Sequence, residues 1–164
     1  MIRAAIIGLG WWGRTIVETV QGKSDRISFV AGNTRTRAKA EEFCRDNKIE
    51  LRDDLDSILN DPRIDAVVYT TPHSQHEEHI RRAAQAGKHV CVEKPFTLKA
   101  HTSGQPQVIE NKGPNPVKWV MEAFAAAVQG EAPFPITHEQ IIHGVAVFEA
   151  IVKSAKTGQL VKVG

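Results

Sequence analysis

The sequence predicts an α/β domain: a doubly wound parallel sheet covered by helices on both faces. Three observations lead there. Apolar runs of strand length alternate with helix-length amphipathic stretches over about the first 100 residues. The first apolar run passes directly into a glycine-rich loop, "GLGWWG" at 8–13, and a helix opens from that loop. Strand-helix alternation of this kind needs crossover connections, which are right-handed and make neighbouring strands parallel.

Each element has its own signal. Ile2 to Ile7 is an apolar run ending at Gly8, the pattern of a strand buried on both faces, and Thr15 to Val20 continue as a helix closing near Gly22. Ile27 to Ala31 reads as the second strand, and Thr36 to Asn47 as a helix that packs through Ala38, Ala40 and Phe43. Asp53 to Leu59 is a helical turn or two, which Pro62 cannot continue. Ala66 to Thr70 is the third strand, His76 to Ala86 a helix stopped by Gly87, and His89 to Val92 the fourth strand. Residues 100–116, rich in proline and glycine near their end, read as a linker, with room for one strand at the apolar pair Val108 and Ile109. Two helices follow, one with an apolar stripe at Val117, Val120, Phe124 and Val128, the other at Ile141, Val145, Phe148, Val152 and Ala155. Thr137 and Gln140 have capping-box spacing at the start of the second. Leu160 to Val163 could add a short last strand.

Composition narrows the function classes. With 164 residues and 41% hydrophobic side chains the chain suits one domain. Twenty-one basic against nineteen acidic residues leave a net charge of +2, which argues against a nucleic-acid partner and makes any anion site local. No apolar stretch reaches spanning length and the N-terminus has no signal-peptide plan, so the expectation is a cytoplasmic protein without membrane association. Cys44 and Cys91 lack the paired spacing of a metal knuckle and read as reduced packing residues.

The glycine loop carries the chemistry. Following a strand and opening a helix, Gly8 supplies the tight turn, Gly10 lets a backbone approach a pyrophosphate, and Gly13 brings helix and sheet together. Of Trp11 and Trp12, one is expected to pack beneath the loop and the other to wall the cofactor cleft. An acidic residue after the second strand would hold the ribose 2′-hydroxyl of NAD. Instead "GNTRTRAK" at 32–39 carries Arg35, Arg37 and Lys39, which favours a 2′-phosphate and hence NADP, with NAD the alternative. Thr34 and Arg35 are the expected phosphate contacts, while Arg37 and Lys39 read equally well as a solvated helix face.

The stretch "TTPHSQHEEHIRRAAQAGKHVCVEKP" at 70–95, taken with the loop, resembles the Gfo/Idh/MocA family of NAD(P)-dependent oxidoreductases. The resemblance covers residues 1 to about 100 and rests on the glycine loop, the Pro72–His76 turn, "AGKHV" at 86–90 and the Glu93-Lys94-Pro95 motif. It implies a Rossmann-like sheet with the C-terminal helices packed back on it. It also implies that Lys94, which helps bind and orient substrate and cofactor in the family, is the catalytic-site lysine, here vestigial. The cofactor contacts it implies are Gly8, Leu9, Gly10, Trp11, Trp12, Gly13, Asn33, Thr34, Arg35, Thr71, Pro72, His73, His76, Glu93, Lys94 and Pro95. His73, His76 and His79 are spaced in threes, but the spacing turns them around a helix; His76 matches the family's turn histidine, the others read as solvated, and no metal is expected.

Family members commonly have a second domain whose open sheet holds the substrate pocket. This chain passes from "EKPFTLKA" almost at once to helices resembling the family's C-terminal ones, as if that domain were deleted. The division implied is 1–99 as the NAD(P)-binding core, 100–116 as the join and 117–164 as helices completing the same domain. Three functions follow: a dinucleotide-binding module with little or no turnover, an NADP-dependent sugar or polyol oxidoreductase completed by its C-terminal helices or a partner, or a cofactor-sensing regulator. The family's oligomerising sheet face is absent from such a chain, so a monomer is expected.

Overall fold

The computed structural model describes residues 1–92 and 115–163. Glu93, Lys94, Pro95 and all but the last two residues of the expected linker lie outside them.

Five strands, β1 (Ile2–Ile7), β2 (Ile27–Asn33), β3 (Glu50–Leu51), β4 (Ala66–Tyr69) and β5 (His89–Val92), form one wholly parallel sheet in the order β3-β2-β1-β4-β5. The helices are α1 (Trp11–Val20), α2 (Glu41–Asp46), α3 (Leu55–Leu59), α4 (His76–Gln85), α5 (Pro116–Val128) and α6 (His138–Thr157). The chain builds outward from β1 to β3, then returns to the other side of β1 for β4 and β5. The order therefore reverses between β1 and β4, and in a parallel sheet the crevice beyond the strand ends at that point is where ligands bind.

Alternation along the strands produces two cores, one per face. Ile2, Ala4 and Ile6 of β1 join Ile16, Val17 and Val20 of α1, with Phe29, Val68, Met121 and Phe124, on one face. Ala5 and Ile7 join Val67, Tyr69, Ile58, Leu59 and Ala83 on the other. A bulge in β2 shifts the register between Ala4 and Ala5, so that Val30 and Ala31 both reach the second face after Ile27 and Phe29 have served the first.

Several expectations shift at the edges. The helix expected over 36–47 is a 3-10 turn, Arg37–Lys39, and the short α2, with the chain bending at Ala40. The two-residue β3 is too short to show a period. Leu160 to Val163 form no strand. The end of the expected linker is already helix: the Asn115 side chain caps the N–H groups of Val117 and Lys118, and Pro116 takes the first position, where its missing N–H costs nothing.

The C-terminal helices differ from one another. α5 buries Met121, Phe124 and Ala125 against the α1 face. α6 has the full capping box at Thr137 and Gln140, yet Ile141, Val145 and Phe148 of its apolar stripe are exposed, Phe148 at 58%. The 4-3 spacing puts these side chains on one helix face, and that face is exposed.

Below the sheet edge, Asp61 is the polar node of the second face. Its carboxylate accepts from Arg63 Nε and Nη2 at 3.0 and 2.7 Å, from the Arg63 N–H at 2.9 Å and from Arg52 Nη2 at 3.1 Å. Its carbonyl takes Lys88 Nζ at 2.7 Å. The Arg63 hydrogen bonds hold this carboxyl well below the usual carboxylate range. A depressed carboxyl pKa stabilises the fold above the unfolded value and loses that contribution as pH falls below it. Asp61→Asn should therefore lower the melting temperature at pH 7, and the gap from the unmutated chain should narrow as melts are repeated below about pH 4.

Candidate functional site

The turn from β1 into α1 sits at the reversal point, and its three glycines are each required for a different steric reason. Gly8 adopts φ +100°, a conformation costly for residues with a Cβ. A Cβ on Gly8 would also fall 2.9 Å from the Thr70 carbonyl oxygen. A Cβ on Gly13 would lie 2.0 Å from the Gly8 carbonyl oxygen and 2.8 Å from Thr70 Oγ1, because α1 passes directly over the turn. At Gly10 a Cβ would meet nothing within 4 Å. The loop is thus closed against β4 at Gly8 and Gly13 and open to solvent at Gly10.

Two strand ends hold the turn in place. The Gly8 N–H donates to the Asn33 carbonyl at 2.8 Å, at the end of β2. The Thr70 hydroxyl, just past β4, lies 2.5 Å from the Gly8 carbonyl and 3.2 Å from that of Ile7. Gly10 is the N-cap residue of α1; no side chain caps it and no acidic residue occupies the first turn. The first N–H groups of a ten-residue helix and its positive dipole end therefore face the crevice uncompensated, a setting suited to a phosphate. A dinucleotide pyrophosphate fits here on three counts: open space at Gly10, free helix donors and no nearby carboxylate in the turn.

The tryptophans separate as follows. Trp12 packs on the α1-side core, whereas Trp11 is 79% exposed with its ring centroid 5.5 Å from that of Trp12. Leu9 buries its side chain in the same core, leaving only its main chain for a ligand. The Asn33 side chain is engaged with the Arg52 carbonyl at 3.0 Å.

The basic run after β2 also divides. Arg37 is neutralised by Asp53 at 2.5 Å and Glu41 at 3.3 Å, which makes it structural. Arg35 is exposed and has no hydrogen bond or ion pair among the described residues, and Thr34 beside it is half-buried.

On the β4 side, Thr71 is held twice by α4. The buried His76 donates from Nε2 to the Thr71 carbonyl at 2.7 Å, and His79 Nδ1 shares a hydrogen bond with Thr71 Oγ1 at 3.1 Å. His79 was expected in solvent; instead its ring stacks on Tyr69 at 4.8 Å, because positions three apart on a helix share a face and His76 already points at the sheet. Burial, with the nearby His76 and Arg82, lowers the His79 pKa. Tyr69 is wholly buried and its hydroxyl is pushed up to about 12 by that burial. Pro72 is exposed, and His73 opens the 3-10 turn that leads into α4. Among the described residues no group of three or more His, Cys, Asp or Glu side chains is placed to hold a metal, and no helix is long and apolar enough to cross a membrane.

Thr70 and Arg14 carry no local mark in the sequence. Their contacts join residues 62 and 25 positions apart, and no local pattern marks such partners.

A turn of this kind at the reversal point of a five-stranded parallel sheet defines the class: a single dinucleotide-binding domain of the Rossmann type. Comparison with known proteins gives the family. Residues 2–141 match the family described as oxidoreductase family, NAD-binding Rossmann fold, and the chain belongs to that Gfo/Idh/MocA family. It is 36% identical over 107 residues to scyllo-inositol 2-dehydrogenase (NAD(+)) of Bacillus subtilis, covering 62% of this chain and 30% of that one. It is 45% identical over 64 residues to a scyllo-inositol 2-dehydrogenase (NADP(+)) of the same organism, covering 38% and 18%. Among solved structures, a putative myo-inositol dehydrogenase from Sinorhizobium meliloti matches with TM-score 0.54 at 35% identity, over 58% of this chain and 28% of the other. A 3-ketoreductase from Actinomadura kijaniata, solved with TDP-benzene and NADP, matches with TM-score 0.53 at 29% identity, over 58% and 30%. The matches thus span less than a third of each relative's length.

The glycine geometry sets a clear contrast. Gly13→Ala should lower stability by about 1–3 kcal/mol or more in denaturant melts, since helix and turn must separate to admit the methyl. Gly10→Ala should melt close to the unmutated chain while weakening any pyrophosphate ligand measured by titration.

Proposed function

We propose that this chain is a dinucleotide-binding module that prefers NADP and has little or no dehydrogenase turnover of its own. The observation that carries the coenzyme preference is Arg35: an exposed guanidinium without a carboxylate partner among the described residues, at the end of β2, where an acid would otherwise favour a 2′-hydroxyl. The named relatives include one that uses NAD and one that uses NADP, so the family alone leaves the choice open.

On this reading the α1 N-terminus and the main chain at Gly10 bind the pyrophosphate, and Thr34 with Arg35 binds the 2′-phosphate. Trp11 walls the outer side. His76 and His79 fix Thr71, which follows Thr70 on the nicotinamide side. Lys94, next but one after β5 in the sequence, corresponds to the family's orienting lysine and is vestigial in a chain without turnover. A bound nicotinamide coenzyme would supply hydride transfer; the protein's residues bind and orient it. Turnover needs a second surface that holds a substrate at attack distance, and that orientation can be worth about 7–11 kcal/mol of barrier. The matched stretches span less than a third of each dehydrogenase relative, and they cover the coenzyme-binding part.

Titration of the full chain with NADPH and NADH, followed by tryptophan quenching and energy transfer to the reduced nicotinamide, tests the reading. NADPH should bind saturably and more tightly. Arg35→Ala should weaken NADPH by about ten- to a hundredfold, the equivalent of one lost charged hydrogen-bond set, and leave NADH nearly unchanged. A preference for NADH would overturn the coenzyme assignment, and turnover of an inositol with NADP would overturn the inactive-module reading.

A further inference from the structure

The segment carrying Thr34 and Arg35 is tied to the glycine turn at both of its ends. At its start, the Asn33 carbonyl accepts the Gly8 N–H at 2.8 Å. At its end stands Arg14, the residue that follows Gly13 on α1. Arg14 Nε donates to the Leu9 carbonyl at 3.3 Å, and its Nη2 donates to the Lys39 carbonyl, the last residue of the 3-10 turn. Its guanidinium also lies over the Phe43 ring of α2, 5.0 Å from the centroid. One side chain thus connects the turn, the 3-10 segment and α2.

Arg14 has no carboxylate partner among the described residues, in contrast to Arg37 with Asp53 and Glu41. Its acceptors are main-chain carbonyls, which belong to the loops themselves and not to any mobile side chain. A planar guanidinium donates in two directions while its face stacks on an aromatic ring, a geometry that the single point charge of a lysine ammonium does not reproduce.

We propose that Arg14 is a positioning residue for coenzyme selectivity. It holds the Thr34–Arg35 segment at a fixed separation from the pyrophosphate turn, so that a 2′-phosphate meets a pre-ordered guanidinium. A bidentate guanidinium-phosphate contact depends on geometry, and each side chain or loop that must be ordered on binding subtracts from affinity. The pyrophosphate meets Gly10 and the α1 N–H groups, which do not depend on Lys39. Loosening this brace therefore costs the 2′-phosphate coenzyme selectively. The inference rests on the NADP-preferring reading above.

The test is calorimetric titration of the full chain and of Arg14→Lys, Arg14→Gln, Arg35→Ala and the Arg14→Lys/Arg35→Ala double variant, each with NADPH and NADH, with thermal melts as a folding control. Arg14→Lys and Arg14→Gln should each weaken NADPH by about tenfold while changing NADH by less than about twofold. The double variant should show no lower NADPH-to-NADH ratio than Arg35→Ala alone, because Arg14 acts through Arg35. Three results would overturn the proposal. Parallel loss of both coenzymes would make Arg14 a support of the turn as a whole. Full selectivity retained in Arg14→Lys would make it a charge and not a brace. A further loss in the double variant would make it an independent contact. Failure of the underlying reading is seen separately, in the unmutated chain: if that binds neither coenzyme, or prefers NADH, both fall together.

Discussion

The approach of the Thr70 hydroxyl to the Gly8 carbonyl, at 2.5 Å, is the contact around which the site is arranged. It brings the end of β4 against the turn after β1 so closely that neither Gly8 nor Gly13 has room for a methyl group. Once that turn is fixed, α1 must start directly above the sheet, and its free N–H groups must point into the crevice where strand order reverses. The anion-binding character of the site thus follows from a packing constraint between two strand ends.

The same constraint orders what lies on either side. Toward β2, the Gly8 N–H holds Asn33 and Arg14 reaches Lys39, so the Thr34–Arg35 segment is referenced to the turn. Toward β5, Thr71 follows Thr70 directly and is clamped by His76 and His79. The segments on both sides of the reversal point, Thr34–Arg35 after β2 and Thr71 after β4, are therefore positioned from one turn. α5 seals the α1 face beneath them through Met121 and Phe124, while α6 leaves its apolar stripe outside this core.

The sequence made the central features legible because their causes are local. Glycines at 8, 10 and 13 between an apolar strand and a helix have few other uses, and the absence of an acid after β2 can be read directly. Asn115-Pro116 carried a cap signal as clear as Thr137 with Gln140, but its place at the end of a proline- and glycine-rich stretch assigned it to a linker. What stayed hidden depends on tertiary geometry. Choosing Trp11 as the exposed indole requires knowing how α1 is rotated over the sheet. His79 looked solvated because Tyr69, its stacking partner, lies on a different element. The sequence left Arg37 open between a phosphate contact and a solvated face, because its partner Asp53 lies on a different segment.

The central claim is that the open α1 N-terminus and the braced turn after β2 together form one dinucleotide site. Backbone amide chemical shifts recorded during an NADPH titration test it most directly. The largest shifts are expected at Gly10 to Gly13, at Thr34 and Arg35, and at Thr71 and His76, all saturating with one dissociation constant. Shifts confined to α6, or separate constants for the glycine turn and the Thr34–Arg35 segment, would contradict it.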